Sequence, residues 1–212
     1  MEPILSHPHE IEAESLRRIE AEAGPHGFTA PEWAVVRRMI HTTADFDYLT
    51  STRIHPRAIA AGIEALRQGR PVFTDTRMLA AGISTGRLQR LGVEVHCFIS
   101  DPAVAAEAAR RGTTRAAAAM ALCQPRLGGS IMAIGNAPTA LWQLLELLQT
   151  GAPAPALIIG LPVGFVNAAE SKAALIATDF PYITNVGRKG GSALAASVVN
   201  ALAIMALEGQ PA

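Results

Sequence analysis

The sequence predicts an α/β fold with a five-stranded parallel sheet covered by helices on both faces, and three observations carry that expectation. Short β-branched or aliphatic runs recur along most of the chain, each followed by a loop of Gly, Pro, Asn or Asp and then an Ala/Leu-rich helical stretch. The runs are nearly continuous in apolar residues, as strands buried on both faces require; a sheet with one wet face would alternate. The length of 212 residues suits one domain of this kind and buries a core without disulfide staples.

In chain order, residues 10–23 place Ile11, Leu16 and Ile19 at helical spacing among charges, and Gly24-Pro25 ends the run. Thr29-Ala30-Pro31-Glu32 reads as a capping box opening a second helix. Val35, Val36, Met39 and Ile40 form its buried face, and it is expected to end near His41. Strands are expected at 71–74, 94–99, 130–134, 156–160 and 182–185. Helices are expected after Asp75, after the cap pair Asp101-Pro102, after Thr113-Thr114, after Asn136-Ala137-Pro138, at about Val166 and from Ser192. No linker or composition break divides the chain, so one domain spans 1–212, with N-terminal helices at about 9–41 and an α/β core at about 56–207.

Lys plus Arg and Asp plus Glu number 18 each, which argues against a nucleic-acid partner, since phosphate neutralisation calls for clustered excess cations. The longest apolar runs, 156–166 and 193–207, are short or interrupted by Ser197 and Asn200, so no membrane span is expected. The start MEPILSHPHE has neither a basic cluster nor an apolar core, which predicts no secretory leader and a cytoplasmic protein. Cys97 and Cys123 lack metal-ligand spacing and read as small buried residues in a reducing compartment. Neither a metal site nor a cofactor is expected, and G-x-S-x-G and paired glycosidase acids are missing.

In an open parallel sheet the ligand crevice lies beyond the carboxyl ends of the strands. Three expected loops there are rich in small residues: Gly135-Asn136-Ala137-Pro138-Thr139, Gly160-Leu161-Pro162-Val163-Gly164-Phe165 and Gly187-Arg188-Lys189-Gly190-Gly191-Ser192. Such loops either permit tight turns or present helix-start amides to an anion. Neither nucleotide fingerprint, G-x-x-x-x-G-K-[ST] or G-x-G-x-x-G after the first strand, is present. Arg115 opens a helix, where a cation is unfavourable unless it faces an anion; Lys172 and Arg188 are either solvated charges or ligands of a carboxylate. His41, at a helix end before Thr42, Thr43 and Asp45, reads as a core histidine, a helix cap or a catalytic group.

Four segments carry a more specific signal: Met39-Ile40-His41-Thr42-Thr43-Ala44-Asp45, Ile134-Gly135-Asn136-Ala137-Pro138-Thr139-Ala140-Leu141, the run from Gly160 through Asn167 to Lys172, and Gly187-Arg188-Lys189-Gly190-Gly191-Ser192. Together, from about Ser15 to Asn200, the chain resembles the precorrin-8X methylmutases, also called cobalt-precorrin-8 methylmutases. The resemblance implies a three-layer flavodoxin-like fold, a homodimer with active sites shared between subunits, and a tetrapyrrole substrate. The implied reaction moves a methyl group from C11 to C12 of precorrin-8X or cobalt-precorrin-8, giving hydrogenobyrinate or cobyrinate in cobalamin biosynthesis.

By the same resemblance His41 matches the family's catalytic histidine, and Ser15 and Ser84 match hydroxyl residues at the substrate. The substrate's acetate and propionate rim asks for donors, for which Arg115, Gly135, Asn136, Thr139, Lys172, Arg188, Gly190 and Ser192 are the candidates. Ser15-Leu16-Arg17-Arg18-Ile19-Glu20 departs from the family's pattern, with Leu for Phe and a charge for one aliphatic residue, and Glu20 brings it nearer the cobalt-pathway members. Two other readings stand beside the isomerase: a corrinoid carrier that would tolerate loss of His41, and a flavin- or nucleotide-binding protein.

Overall fold

Alternate side chains of the strands feed two separate cores, one on each face of a single sheet. The structure, a computed structural model, describes residues 6–208; residues 1–5, part of the stretch read for a leader, and 209–212 lie outside it. β1 (Thr52–Ile54), β2 (Val72–Thr74), β3 (Val95–His96), β4 (Ile131–Ile134), β5 (Leu157–Gly160) and β6 (Tyr182–Asn185) lie in the order β1-β6-β5-β4-β2-β3. The helices are α1 (Pro8–Ala23), α2 (Ala30–Thr43), α3 (Tyr48–Ser51), α4 (Ala58–Arg67), α5 (Arg77–Gly82) and α6 (Thr85–Arg90). After these come α7 (Pro102–Arg111), α8 (Arg115–Cys123), α9 (Pro138–Gln149), α10 (Ala168–Ile176) and α11 (Ser192–Leu207).

The sheet has six strands where five were expected. The five expected ones are β2 to β6, all parallel, with β3 only two residues long instead of the six at 94–99. The added strand, β1, runs antiparallel to β6, with Thr52 opposite Asn185 and Ile54 opposite Ile183. Thr52-Arg53-Ile54 is too short to show periodicity, and its pairing is made by the edge it meets. Counted along the chain, the parallel strands stand in the order 2-1-3-4-5, so the winding reverses between β2 and β4.

Val72, Ile131, Ala133, Leu157, Ile159 and Ile183 face α2, α4, α5, α6 and α11. Phe73, Met132, Ile134, Ile158 and Tyr182 face α8, α9 and α10. The centre of the first layer is α11, with eleven of 16 residues buried, which leaves it only a narrow accessible stripe that includes Ala193, Asn200 and Ile204. Glycines let its neighbours approach: a Cβ on Gly82 would lie 2.9 Å from that of Ala196, and one on Gly62 3.1 Å from Leu202.

The single helix expected after Asp75 is two, α5 and α6, broken at Ile83-Ser84. Asn200 of α11 makes the break: its Oδ1 accepts the Ser84 N–H at 2.8 Å and its Nδ2 donates to the Gly82 carbonyl at 2.9 Å. The Thr29–Glu32 capping box forms, with the Thr29 N–H donating to the Glu32 carboxylate at 2.8 Å. α2 runs two residues beyond His41 and closes on Ala44, left-handed at φ 51°. α3 and α4 occupy a stretch left unassigned by the sequence pattern.

At the reversal between β2 and β4 the helix-start amides already have an anion. Asp75, 1% exposed, accepts the Gly135 N–H at 3.0 Å on one oxygen and those of Asn136 and Ala137 at 2.8 and 2.7 Å on the other. Burial pushes its carboxyl up against the pull of these three amides. The start of α9 is thus neutralised from within the chain, where a ligand anion would otherwise bind. Asp75→Ala strands two buried amides and a third that is partly buried, and we expect a loss of about 3 kcal/mol in urea unfolding; an unchanged midpoint would contradict this role.

Candidate active site

His41 lies in the last turn of α2, half-buried, between two cavities. One, of about 370 Å³, opens between α1 and α2 and is lined by Ser15, Arg18, Ile19, Glu22, Ile40, His41, Ala44 and Phe46. The other, of about 250 Å³, is lined by Arg38, His41, Thr42, Arg87, Ser197, Asn200 and Ile204. Arg38 sits one turn before His41 on the same helix face. The imidazole is therefore both supported by the core behind Met39 and Ile40 and open to a ligand on two sides.

Helix α1 forms one wall of the first cavity and buries none of its residues fully. Two carboxylates hold it to α2. Glu12 meets Arg38 at 2.5 Å, and Glu20 accepts from the Trp33 indole at 2.8 Å and lies 3.3 Å from Arg37. The Arg38 guanidinium beside Glu12 holds that carboxyl below the usual range, with the charges of His41 and Arg87 adding to the effect. Glu12, Arg38, His41 and Arg87 are one electrostatic cluster.

Of the residues expected at the site, His41 and Ser15 line one cavity. The Ser15 hydroxyl bonds the Ile11 carbonyl at 2.7 Å. Ser84 sits behind the second cavity, its backbone N–H held by Asn200. Arg38, Arg87, Glu12 and Asn200 were not among the candidates. The available signal was the interruption of the apolar run of α11 by Ser197 and Asn200, three residues apart and hence on one helix face, and the i, i+3 spacing of Arg38 and His41.

The remaining expected residues line neither cavity. Asn136 and Arg115 are exposed, and the hydroxyls of Thr139 and Thr114 join the starts of α9 and α8 at 2.8 Å. The glycine-rich loops are closed against each other and do not form an open floor for an anion. A Cβ on Gly135 would come within 2.8 Å of the Gly191 carbonyl, and one on Gly190 within 2.6 Å of that of Pro162. Ser192 is buried, its hydroxyl 2.9 Å from that of Thr76. Arg188 is exposed, with its guanidinium carbon 5.6 Å from the centre of the Phe165 ring.

Lys172, expected as a carboxylate ligand, is fully buried: its ammonium donates to the Lys189 carbonyl at 2.6 Å and to Asn185 Oδ1 at 3.1 Å. It holds the loop after β6 from beneath. The same loop is tied to the turn after α2 by the Lys189 ammonium, 2.5 Å from Asp45 and 2.6 Å from Asp47. Among the described residues no group of three or more His, Cys, Asp or Glu is gathered as a metal-ligand set, and no helix is long and apolar enough to cross a membrane.

Residues 10–205 match the model of the precorrin-8X methylmutase (CbiC) family. The cobalt-precorrin-8 methylmutase of Priestia megaterium is 45% identical over 207 residues, covering 98% of this chain and 92% of that protein. The precorrin-8X methylmutase of Pseudomonas aeruginosa is also 45% identical, over 195 residues, 91% of this chain and 93% of that one. The crystal structure of precorrin-8x methyl mutase from Thermus thermophilus superposes with a TM-score of 0.87 at 45% identity, covering 94% of this chain and 98% of that chain.

The buried ammonium has a measurable signature. Burial pushes Lys172 down to about 8 from its ordinary 10.5, so between those values the unfolded chain holds the proton that the folded chain has released. This group's penalty is therefore complete below about pH 8 and is relieved as pH rises toward 10.5. Relative to Lys172→Met, wild-type stability should gain up to about 1.4 kcal/mol per pH unit across that window. Urea titrations at several pH values check this; a flat difference would show that the ammonium does not titrate there.

Proposed function

The chain belongs to the precorrin-8X methylmutase family, an isomerase family of cobalamin biosynthesis, and we propose that it moves a methyl group from C11 to C12 of a precorrin-8 macrocycle with His41 as proton donor and acceptor. The observation that carries the reading is the placement of His41 between two cavities on a helix fixed by the core. The C11–methyl bond breaks as the C12–methyl bond forms, so substrate and product are isomers and no co-reactant is consumed. What the protein must supply is a rigid seat for the ring and a group that lends a proton to a ring nitrogen and takes it back. An imidazole performs both halves of that exchange near neutral pH.

Ser15, which lines the cavity between α1 and α2, is read as a substrate contact, and Ser84, held by Asn200 behind the second cavity, as a hydroxyl near the substrate. The 2-1-3-4-5 strand order supports a flavodoxin-like class for the whole chain as one methylmutase domain, and we place the protein in the cytoplasm. Arg115, Asn136, Thr139 and Arg188 lie apart from the His41 cavities, and the reading gives them the carboxylates of a substrate shared with a second subunit. The support is an apolar face at that rim: Phe165 is 85% exposed and Val166 76%, next to a cavity lined by Ala173, Ile176 and Val186. A homodimer formed there would cover it.

His41→Ala should lower turnover of metal-free or cobalt-bearing precorrin-8, followed by absorption, by about 10²- to 10⁴-fold while binding of the corrinoid persists. Turnover equal to an active wild type would remove His41 from the chemistry, and a wild type that binds the corrinoid without turnover would make the protein a carrier. Phe165→Asp should halve the mass seen in sedimentation; a wild-type chain that sediments as a monomer would refute the shared site.

A further inference from the structure

We infer that Arg38 and Arg87 form a carboxylate clamp beside His41, held closed by Glu12 until an acetate or propionate arm of the substrate displaces it. The inference rests on the methylmutase reading and assigns to that site the groups that select the arm.

Both arginines and His41 line the same cavity of about 250 Å³. That volume admits one carboxylate arm and is too small for a tetrapyrrole ring, which must lie across the mouth, toward the larger space between α1 and α2. An arm seated between the arginines would fix the ring's register relative to the imidazole. Arg38 is set on α2 at a fixed spacing from His41. Arg87 is set by Asn200, which holds the start of α6 through the Ser84 N–H and the Gly82 carbonyl. Among the described residues no carboxylate lies within ion-pair distance of Arg87, whose charge reaches Glu12 only from farther off, so a further anion there meets a cation with no direct partner.

Glu12 has the chemistry of the expected arm, a carboxylate on a short methylene stem. Its contact with Arg38, 2.5 Å, is partly exposed, with side chains 42% and 27% accessible, and such pairs are individually weak. It is carried by α1, which buries no residue fully, so the contact is exchangeable without disturbing the core. Exchange of one carboxylate for another leaves the charge of the cluster unchanged, and the substrate's gain is reduced by whatever holds Glu12 in place.

The test is kcat and KM of the full-length chain on metal-free and cobalt-bearing precorrin-8, read by absorption, for wild type, Glu12→Gln, Arg38→Gln, Arg87→Gln and the double variant of Glu12 and Arg38. Arg38→Gln and Arg87→Gln should each raise KM about tenfold with a smaller change in kcat. Glu12→Gln should lower KM severalfold, and the double variant should match Arg38→Gln alone, because Glu12 acts through Arg38. A raised KM in Glu12→Gln, or an unchanged KM in Arg87→Gln, overturns the clamp while leaving the isomerase reading intact. Arg87 is exposed, so its variant keeps the fold and carries the test if Arg38→Gln fails to accumulate. A folded wild-type chain that turns over neither substrate overturns the functional reading and the clamp with it.

Discussion

Helix α11 lies at the centre of the layer that it forms with α2, α4, α5 and α6 on one face of the sheet, and the geometry of the site follows from its burial there. A helix so largely buried must be small where neighbours cross it, and Ala195, Ala196, Ala201, Ala203 and Ala206 supply the room. α2 makes the most extensive contact with it of any helix, which fixes the face bearing Arg38 and His41. The two polar residues in the body of α11, Ser197 and Asn200, fall on the side where α2 ends and α6 begins. A polar group in so apolar a helix needs a partner, and Asn200 finds two in the backbone between α5 and α6. One buried helix thereby sets both walls of the second His41 cavity.

The carboxyl edge of the sheet, where doubly wound proteins usually bind ligands, is largely occupied by the chain itself. Asp75 fills the amide nest at the start of α9, and Lys172 supports the loop after β6 from within. Gly135 and Gly190 allow loops to touch instead of leaving space. The two cavities beside His41 open instead at the flank of the sheet, near α1. A chain with no formal net charge still gathers Arg38, Arg87 and His41 in one cavity, because net charge says nothing about local grouping.

Much of this was legible in the residues. The five parallel strands, the capping box at Thr29–Glu32, the caps at Asp101 and Thr114 and the isolation of His41 at a helix end all arise from patterns a few residues long. β1 was not legible, since Thr52-Arg53-Ile54 becomes a strand only where β6 offers an unpaired edge. Lys172 read as a solvated cation or a carboxylate ligand and not as a buried strut, because the oxygens that receive it are 13 and 17 residues away. The break between α5 and α6 is invisible locally for the same reason: its cause, Asn200, lies 116 residues downstream of Ser84.

Periodicity, caps and turn residues depend on contacts within one or two turns of the chain, so the amino-acid order was sufficient for the layers, the strand order's parallel character and the family likeness. Which polar residues would be spent on the fold and which left facing a cavity depended on contacts between distant segments. Asp75 and Lys172 are consumed by loops across the sheet, whereas Arg38 and Arg87 meet only when α2 and α6 are both laid on α11. Hydrogen-bond satisfaction of buried groups is a property of the assembled interior, and no local pattern encodes it.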